Sequence, residues 1–351
     1  MISFSEASVK RDRGIDMTGT EFLKGQGLGN QLFCYVSARC IAKELGREFG
    51  TAGQDRLAVN IHSKKGMYFM DMELGIPIED AASYTVYREK EQRIFMKTCA
   101  HDMLYGCYTA GADEGVYEIP EDTLIYGNLQ AERYFGKYRQ EIREWLKVKE
   151  EYDSCEFCRD NLCIMNVRGG EYADNRALFL RRKYWLDAMK NMRELRPDME
   201  FMIVTDDVHA AERLLPEVKA CHFELAKDYV TLKNARYLIL SNSTFAFFPA
   251  YTSETAEKII APKYWARHNV SDGYWASEQN IYDGFLYQDR TGQLCSAEDC
   301  KRELKEYMAS EKSCKKDTPY GEKEIKRQSE KDRVLYYMEH AVQKVLRKLE
   351  L

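Results

Sequence analysis

The sequence predicts an α/β protein of two units, and three observations carry that prediction. At about 100–200 residues per domain, 351 residues correspond to two domains, each with room for a core. Beyond residue 160, short apolar runs alternate with helical patterns, as a parallel sheet with helices on both faces requires. Residues 147–160 between the halves are polar and charged, which places a domain boundary there.

The elements follow in order. Residues 1–19 are polar and broken by Gly14 and Gly19, so a loose extension is expected. Thr20–Leu23 reads as a short strand, and residues 24–30, KGQGLGN, as a tight turn. A helix is expected to open at Asn30, because Leu32, Phe33, Val36, Ile41 and Leu45 recur at three- to five-residue steps. Gly46 ends it. Residues 50–120 are mixed, with charged helical pieces such as residues 87–97. Thr123–Tyr126 reads as a strand, followed by GNLQAERYF and a helix through Trp145. The first domain is thus residues 20–150.

The second domain is expected over residues 151–290. Leu162–Val167 reads as a buried parallel strand, and a helix is expected over residues 181–195. Strands follow at Phe201–Thr205, Tyr237–Leu240 and Lys258–Ala261, with helices starting near Val208 and Thr244. Right-handed crossovers make this half Rossmann-like. Residues 291–351 form a charged helical extension, in which Val334, Met338, Val342, Val345 and Leu349 lie on one stripe. Docking on the protein's own surface is the main expectation for that stripe. Contact with a membrane surface, aided by Lys344, Arg347 and Lys348, or with a binding partner, is the alternative.

Composition excludes several functions. A net charge of −5 provides no field for a phosphate backbone, so nucleic acid is not an expected partner. No run approaches the roughly 20 apolar residues of a membrane span. No apolar h-region opens the chain, which predicts a cytoplasmic protein, extending to the inner face of the membrane if the C-terminal stripe binds lipid. The 11 cysteines, an odd number, are then expected to be reduced thiols. Cys155 and Cys158, with Cys163 nearby, lack the second knuckle of a structural zinc site: Cys295 and Cys300 have four residues between them and no histidine pair accompanies them.

Ligands in doubly wound domains bind at the carboxyl ends of the strands. Four such ends are polar here: Gly25–Asn30, Asn166–Tyr172, Thr205–Asp207 and Ser241–Thr244. Each has a plain structural reading as well. The first is a tight turn, or a near match to a dinucleotide fingerprint that has Asn30 where glycine is required. Asp206 and Asp207 fit a helix cap or a metal pair, Ser241–Thr244 fits an N-cap, and Arg168 fits a surface ion pair. Together they suit a nucleoside diphosphate. Arg168 can grip phosphate at two points, and Asp207 can accept from a base or ribose. The chain at Ser243 and Thr244 can offer N–H donors.

These segments resemble, in order, the motifs of glycosyltransferase family 11, the α-1,2-fucosyltransferases. GLGNQLFCY matches the family's first motif at Gly27, Leu28, Gly29, Asn30, Gln31, Phe33 and Tyr35, with Gln26 replacing a glycine. Residues 127–135, GNLQAERYF, resemble GYFQSEKYF. Residues 166–172, NVRGGEY, resemble HVRRGDY; Asn166, Gly169 and Glu171 depart from its His, second Arg and Asp. Thr205–Asp207, residues 240–245 and residues 260–265 resemble FSDD, ISNSSFS and VIAPKxW. The resemblance spans residues 20–265.

It implies a GT-B-type enzyme of two Rossmann-like domains with the C-terminal helical extension appended. It further implies inverting transfer of L-fucose from GDP-fucose, without a metal or other cofactor, to a galactose O2 of a glycan. Donor-binding residues are expected at Gly27, Gly29, Asn30, Arg168, Asp206, Asp207, Asn242, Ser243 and Thr244, and acceptor-side residues at Gln31, Gln130 and Glu132. Arg168 and Glu171 are the catalytic candidates, Glu171 as base or acceptor anchor. A different sugar-nucleotide transferase and a catalytically inactive nucleotide- or glycan-binding protein are the alternatives.

Overall fold

The computed structural model describes residues 16–91, 93–108, 111–271, 273–275, 280–310 and 318–348. The first half contains β1 (Met17–Glu21), β2 (Glu48–Ala52), β3 (Ile76–Ile78), β4 (Thr85–Arg88), a small ribbon of β5 (Arg93–Ile94) and β6 (Cys107–Tyr108), and β7 (Thr123–Tyr126). Its main sheet has the order β3-β2-β1-β7-β4 and is parallel throughout. Helix α1 (Leu28–Glu44) links β1 to β2 and is buried on nearly every side, so its apolar residues do not form a narrow stripe. The short helices α2 (Ala100–Tyr105) and α3 (Arg139–Trp145) complete this half.

Two expectations are corrected here. Met17–Gly19, placed in the loose extension, belong to β1, whereas residues 1–15 lie outside the described residues. The strand was obscured because it buries threonines: Thr18 and Thr20 are inside, and the Thr20 hydroxyl donates to the Ile125 carbonyl (2.9 Å). Residues 87–97 supply strands β4 and β5 instead of a helix. The charge pattern there misleads because Glu89 is buried. Its carboxylate accepts from the Leu129 N–H (2.8 Å) and the Tyr134 hydroxyl (2.9 Å).

The second half holds β8 (Leu162–Val167), β9 (Glu200–Thr205), β10 (Lys219–Cys221), β11 (Tyr237–Leu240), β12 (Lys258–Pro262), β13 (Leu286–Gln288) and β14 (Leu294–Ser296). The order is β10-β9-β8-β11-β12-β13-β14, parallel except for the closing hairpin. Helices α4 (Arg182–Leu195), α5 (Val208–Leu214), α6 (Leu225–Lys233) and α7 (Phe247–Thr252) lie between these strands. The expected break at residue 290 falls inside the β13–β14 turn, where the Asp289 carbonyl accepts from the Gly292 N–H (3.2 Å). Helix α8 (Ala297–Ala309) opens with a Ser296–Asp299 capping box and buries Cys300, Leu304 and Tyr307. It therefore belongs with the second half.

One continuous apolar core joins the halves. Its centre is aromatic: Phe33 of α1 stacks on Phe247 of α7 (4.6 Å between centroids), Phe247 meets Tyr282 (4.1 Å), and Phe135 meets Tyr251 edge-on (5.6 Å). The C-terminal helix α9 (Glu322–Lys348) attaches near its start, through Lys97–Glu324 (2.9 Å) and the Ala100 N–H on Asp332 (2.7 Å). Its stripe does not dock as expected: Val334, Met338 and Val345 are all exposed. The side chains of Val342, Lys344, Arg347 and Lys348, and the whole of Leu349, lie outside the described residues.

Candidate functional site

The site is built on the carboxyl edge of the second sheet. Chain leaving β8 turns at once through Arg168-Gly169-Gly170. Gly170 has a left-handed φ of +45°, and a β-carbon on it would stand 2.8 Å from Asp206 Oδ2. At Gly169 a β-carbon would stand 2.5 Å from that of Asp207. The resembled family carries its second arginine at this position. Here the packing against Asp207 leaves it no space.

Arg168 is held on two sides. Its Nη1 donates to Asp206 Oδ2 (2.5 Å) and its Nη2 to Glu171 Oε1 (3.1 Å). Its guanidinium also lies over the Tyr172 ring (5.6 Å). Asp206 takes the Gly169 N–H on its other oxygen (2.8 Å), so one carboxylate fixes both the loop and the cation. Glu171 differs from Asp206: its side chain is 64% exposed, against 13% for Asp206. The Nη2 of Arg168 is thus paired with a removable surface carboxylate and the Nη1 with a fixed one.

The neighbouring residues are largely engaged. Asp207 caps α5, accepting from the Ala210 N–H (2.9 Å). Both Asp206 oxygens and this Asp207 oxygen thus carry hydrogen bonds within the fold. Asn166 is buried; its amide donates to the Val204 carbonyl (3.4 Å) and its oxygen accepts from Ser241 (3.0 Å). The Asn242 amide donates to the Leu178 carbonyl (2.9 Å). Ser243 stands at the N-cap of a short helical turn that runs directly into α7. A single 3-10 turn, residues 244–246, precedes α7, and Ser243 Oγ accepts from the Phe245 N–H (3.3 Å).

The first half closes this end of the edge. Gly29 lies against the Thr244 backbone: a β-carbon on it would stand 2.3 Å from the carbonyl carbon of Thr244 and 2.5 Å from the Phe245 nitrogen. Gly27 is the N-cap of α1 and has open space around it. Asn30 accepts from the Gln130 amide (3.4 Å), and the Gln130 oxygen accepts from Asn280 (3.3 Å), so these three bridge the halves. Gln31 is buried, donating to the Arg56 carbonyl (3.0 Å) and accepting from the Ala58 N–H (2.9 Å). Glu132 accepts the Asp283 N–H (3.0 Å) and pairs with Lys301 (3.4 Å), and burial pushes its carboxyl above the usual range. The structure therefore brings together Arg168, Glu171, Asp206 and Asp207. It places Gln31 and Glu132 in other networks.

Three residues with a bearing on the site carried no motif. Glu89 holds the 127–130 loop through Leu129, which has a left-handed φ of +49°. His222 and Asp228, six residues apart around the start of α6, meet at 2.9 Å. The one available signal was an acidic residue in the first turn of a helix.

No protein-family model matches the sequence, and no curated protein does. Among solved structures the chain is similar to the fucosyltransferase NodZ from Bradyrhizobium: 13% identity and TM-score 0.42, over 70% of this chain and 95% of that one. NodZ α-1,6-fucosyltransferase soaked with GDP-fucose gives 13% and 0.43, over 71% and 95%. POFUT1 in complex with GDP gives 9% and 0.41, over 69% and 96%.

Proposed function

We propose that the chain is an inverting glycosyltransferase that moves L-fucose from GDP-fucose to a galactose-type hydroxyl of a glycan. One observation carries the reading. At the carboxyl end of the central strand, Arg168 is fixed by a half-buried carboxylate on one side and covered by an exposed, displaceable carboxylate on the other. An anionic ligand can take the place of Glu171 at Nη2. The ordered motif resemblance narrows the anion to the diphosphate of a nucleotide sugar.

The chemistry then follows from charge. A diphosphate would take Nη2 and release Glu171, because two anions compete for one edge of the guanidinium. The bond from the fucose C1 to the β-phosphate oxygen breaks, with its electron pair leaving on GDP. The acceptor oxygen bonds to C1 from the opposite face, and its proton passes to the freed Glu171 carboxylate. Arg168, held by Asp206, stabilises the charge that grows on the leaving phosphate. No metal enters this scheme. Gly27 and Asn30 stand on the donor side at the joint, Gly29 packs that joint against Thr244, and Gln130 stands toward the acceptor. We place peripheral membrane contact on the exposed apolar stripe of α9. No helix among the described residues is long and apolar enough to cross a membrane.

GDP release from GDP-fucose in excess EDTA, with and without a galactoside, tests the reading. Acceptor-stimulated release is expected. Release that requires manganese or magnesium would refute the metal-free scheme, and absence of any release would favour an inactive binding protein.

A further inference from the structure

We propose that His222, oriented by Asp228, binds the nucleoside end of the donor nucleotide. The proposal rests on the nucleotide-sugar reading above and adds residues to it.

The direction in which a ligand can extend from Arg168 is set by burial. Toward β11 the edge is closed: Ser241, Asn242 and Ser243 are buried, and Gly29 lies on Thr244. Toward β9 and β10 it opens: Asp206 and Asp207 are partly exposed, and His209 and His222 are exposed. The end of β10 lies two strand spacings from that of β8, about 10 Å. A nucleoside diphosphate with its phosphates on Arg168 is therefore directed past Asp206 toward His222.

His222 is built to meet it. Its side chain is 42% exposed, whereas that of Asp228 is 8% exposed. Asp228 Oδ2 lies 2.9 Å from His222 Nδ1, and its Oδ1 accepts the Phe223 N–H (3.0 Å). A carboxylate in that position accepts from the Nδ1–H and orients the ring, which leaves Nε2 for a ligand. A ribose hydroxyl or a base N–H is the complementary group. A pair whose only purpose was to tie the loop to α6 would need Asp228 and the Phe223 N–H, but no exposed imidazole.

The charged groups around the pair are Asp206 from β9, Glu224 and Lys227 from the start of α6, Lys65 paired to Glu224 (2.6 Å), and Glu156 paired to Lys227 (2.7 Å). Burial pushes the Asp228 carboxyl up to about 6. Below that pH the carboxylate becomes protonated and its hold on Nδ1 weakens.

Calorimetric titration of the full chain with GDP and with inorganic pyrophosphate tests the proposal. His222→Ala should weaken GDP about tenfold, the value of one good hydrogen bond, and leave pyrophosphate unchanged. Wild-type GDP affinity should fall as pH drops from 7.5 to 5.5, and the variant's should not. Asp228→Asn should reproduce the GDP loss. His222→Ala with GDP affinity within twofold of wild type would overturn the proposal, as would an equal loss of pyrophosphate. If the wild type bound no GDP at all, the nucleotide reading would fall first. If it bound GDP without regard to His222, only the present inference would fall.

Discussion

Gly29 of the first half and Thr244 of the second are in direct backbone contact, with no room for a β-carbon between them. This contact explains why glycine occupies the third position of the GLG turn. It also shows that the two halves meet at the mouth of the candidate site as well as through their shared aromatic core.

The contact predicts a contrast between neighbouring glycines. Gly29→Ala must push the α1 terminus off the 244–246 turn and should cost about 1–3 kcal/mol, the range for overpacking. Gly27→Ala has open space and an ordinary φ of −64°, and should cost less than about 1 kcal/mol. Denaturant unfolding of both variants checks this. Equal effects would mean that the halves do not touch there.

Asp207 separates structural from ligand roles. As the cap of α5 it should cost about 1 kcal/mol when replaced by alanine. Nucleotide affinity in Asp207→Ala should stay within a few-fold of wild type. A large loss of affinity with little loss of stability would return Asp207 to the donor site.

His268 governs one part of the pH dependence of stability. It is buried, its Nδ1 lies 3.0 Å from the Lys263 carbonyl, and burial lowers its pKa from 6.5 to about 4. The unfolded chain therefore takes up a proton between about pH 6.5 and 4 that the folded chain does not. The stability it contributes is complete above about 6.5 and is lost as pH falls through that window, by on the order of 3 kcal/mol at most. Asp228 acts with the opposite sign below pH 6, because its raised pKa makes the folded state the stronger proton binder there. The difference between wild type and His268→Gln isolates the histidine. Between pH 7 and 5 the wild type should lose more stability than the variant.

Much of this was legible in the sequence where burial and hydropathy agree. Apolar strands such as β8, β9 and β11 lie where their residues predict. Strands stabilised by buried polar groups were not legible. β1 hides Thr18 and Thr20, and β4 runs into the buried carboxylate of Glu89. The short β10, β13 and β14 carry too few residues for a period to show. At the site, the order of the motifs pointed to Arg168 and Asp206. What it could not show is which polar groups are already engaged. Gln31, Asn242 and Asp207, expected at the ligand, each also carry an internal hydrogen bond in the fold. The C-terminal stripe shows the reverse, because an amphipathic pattern does not say what, if anything, covers it.

Arg168 should matter more to turnover than to folding. Its charge meets the leaving phosphate most strongly in the transition state, so Arg168→Ala should lower kcat/KM by on the order of 10²–10³. Arg168→Lys should recover little, since an ammonium cannot bridge Asp206 and a phosphate in one plane.

The most direct test is the thermal shift produced by GDP, set against UDP, in the wild type and in Arg168→Ala. At about 100 times Kd, a ligand that binds only the native state adds roughly 2.7 kcal/mol of stability. The account predicts that GDP raises the Tm of the wild type, that UDP at the same concentration raises it much less, and that Arg168→Ala, folded, loses most of the GDP shift. An equal shift from UDP, or a full GDP shift in Arg168→Ala, would contradict it.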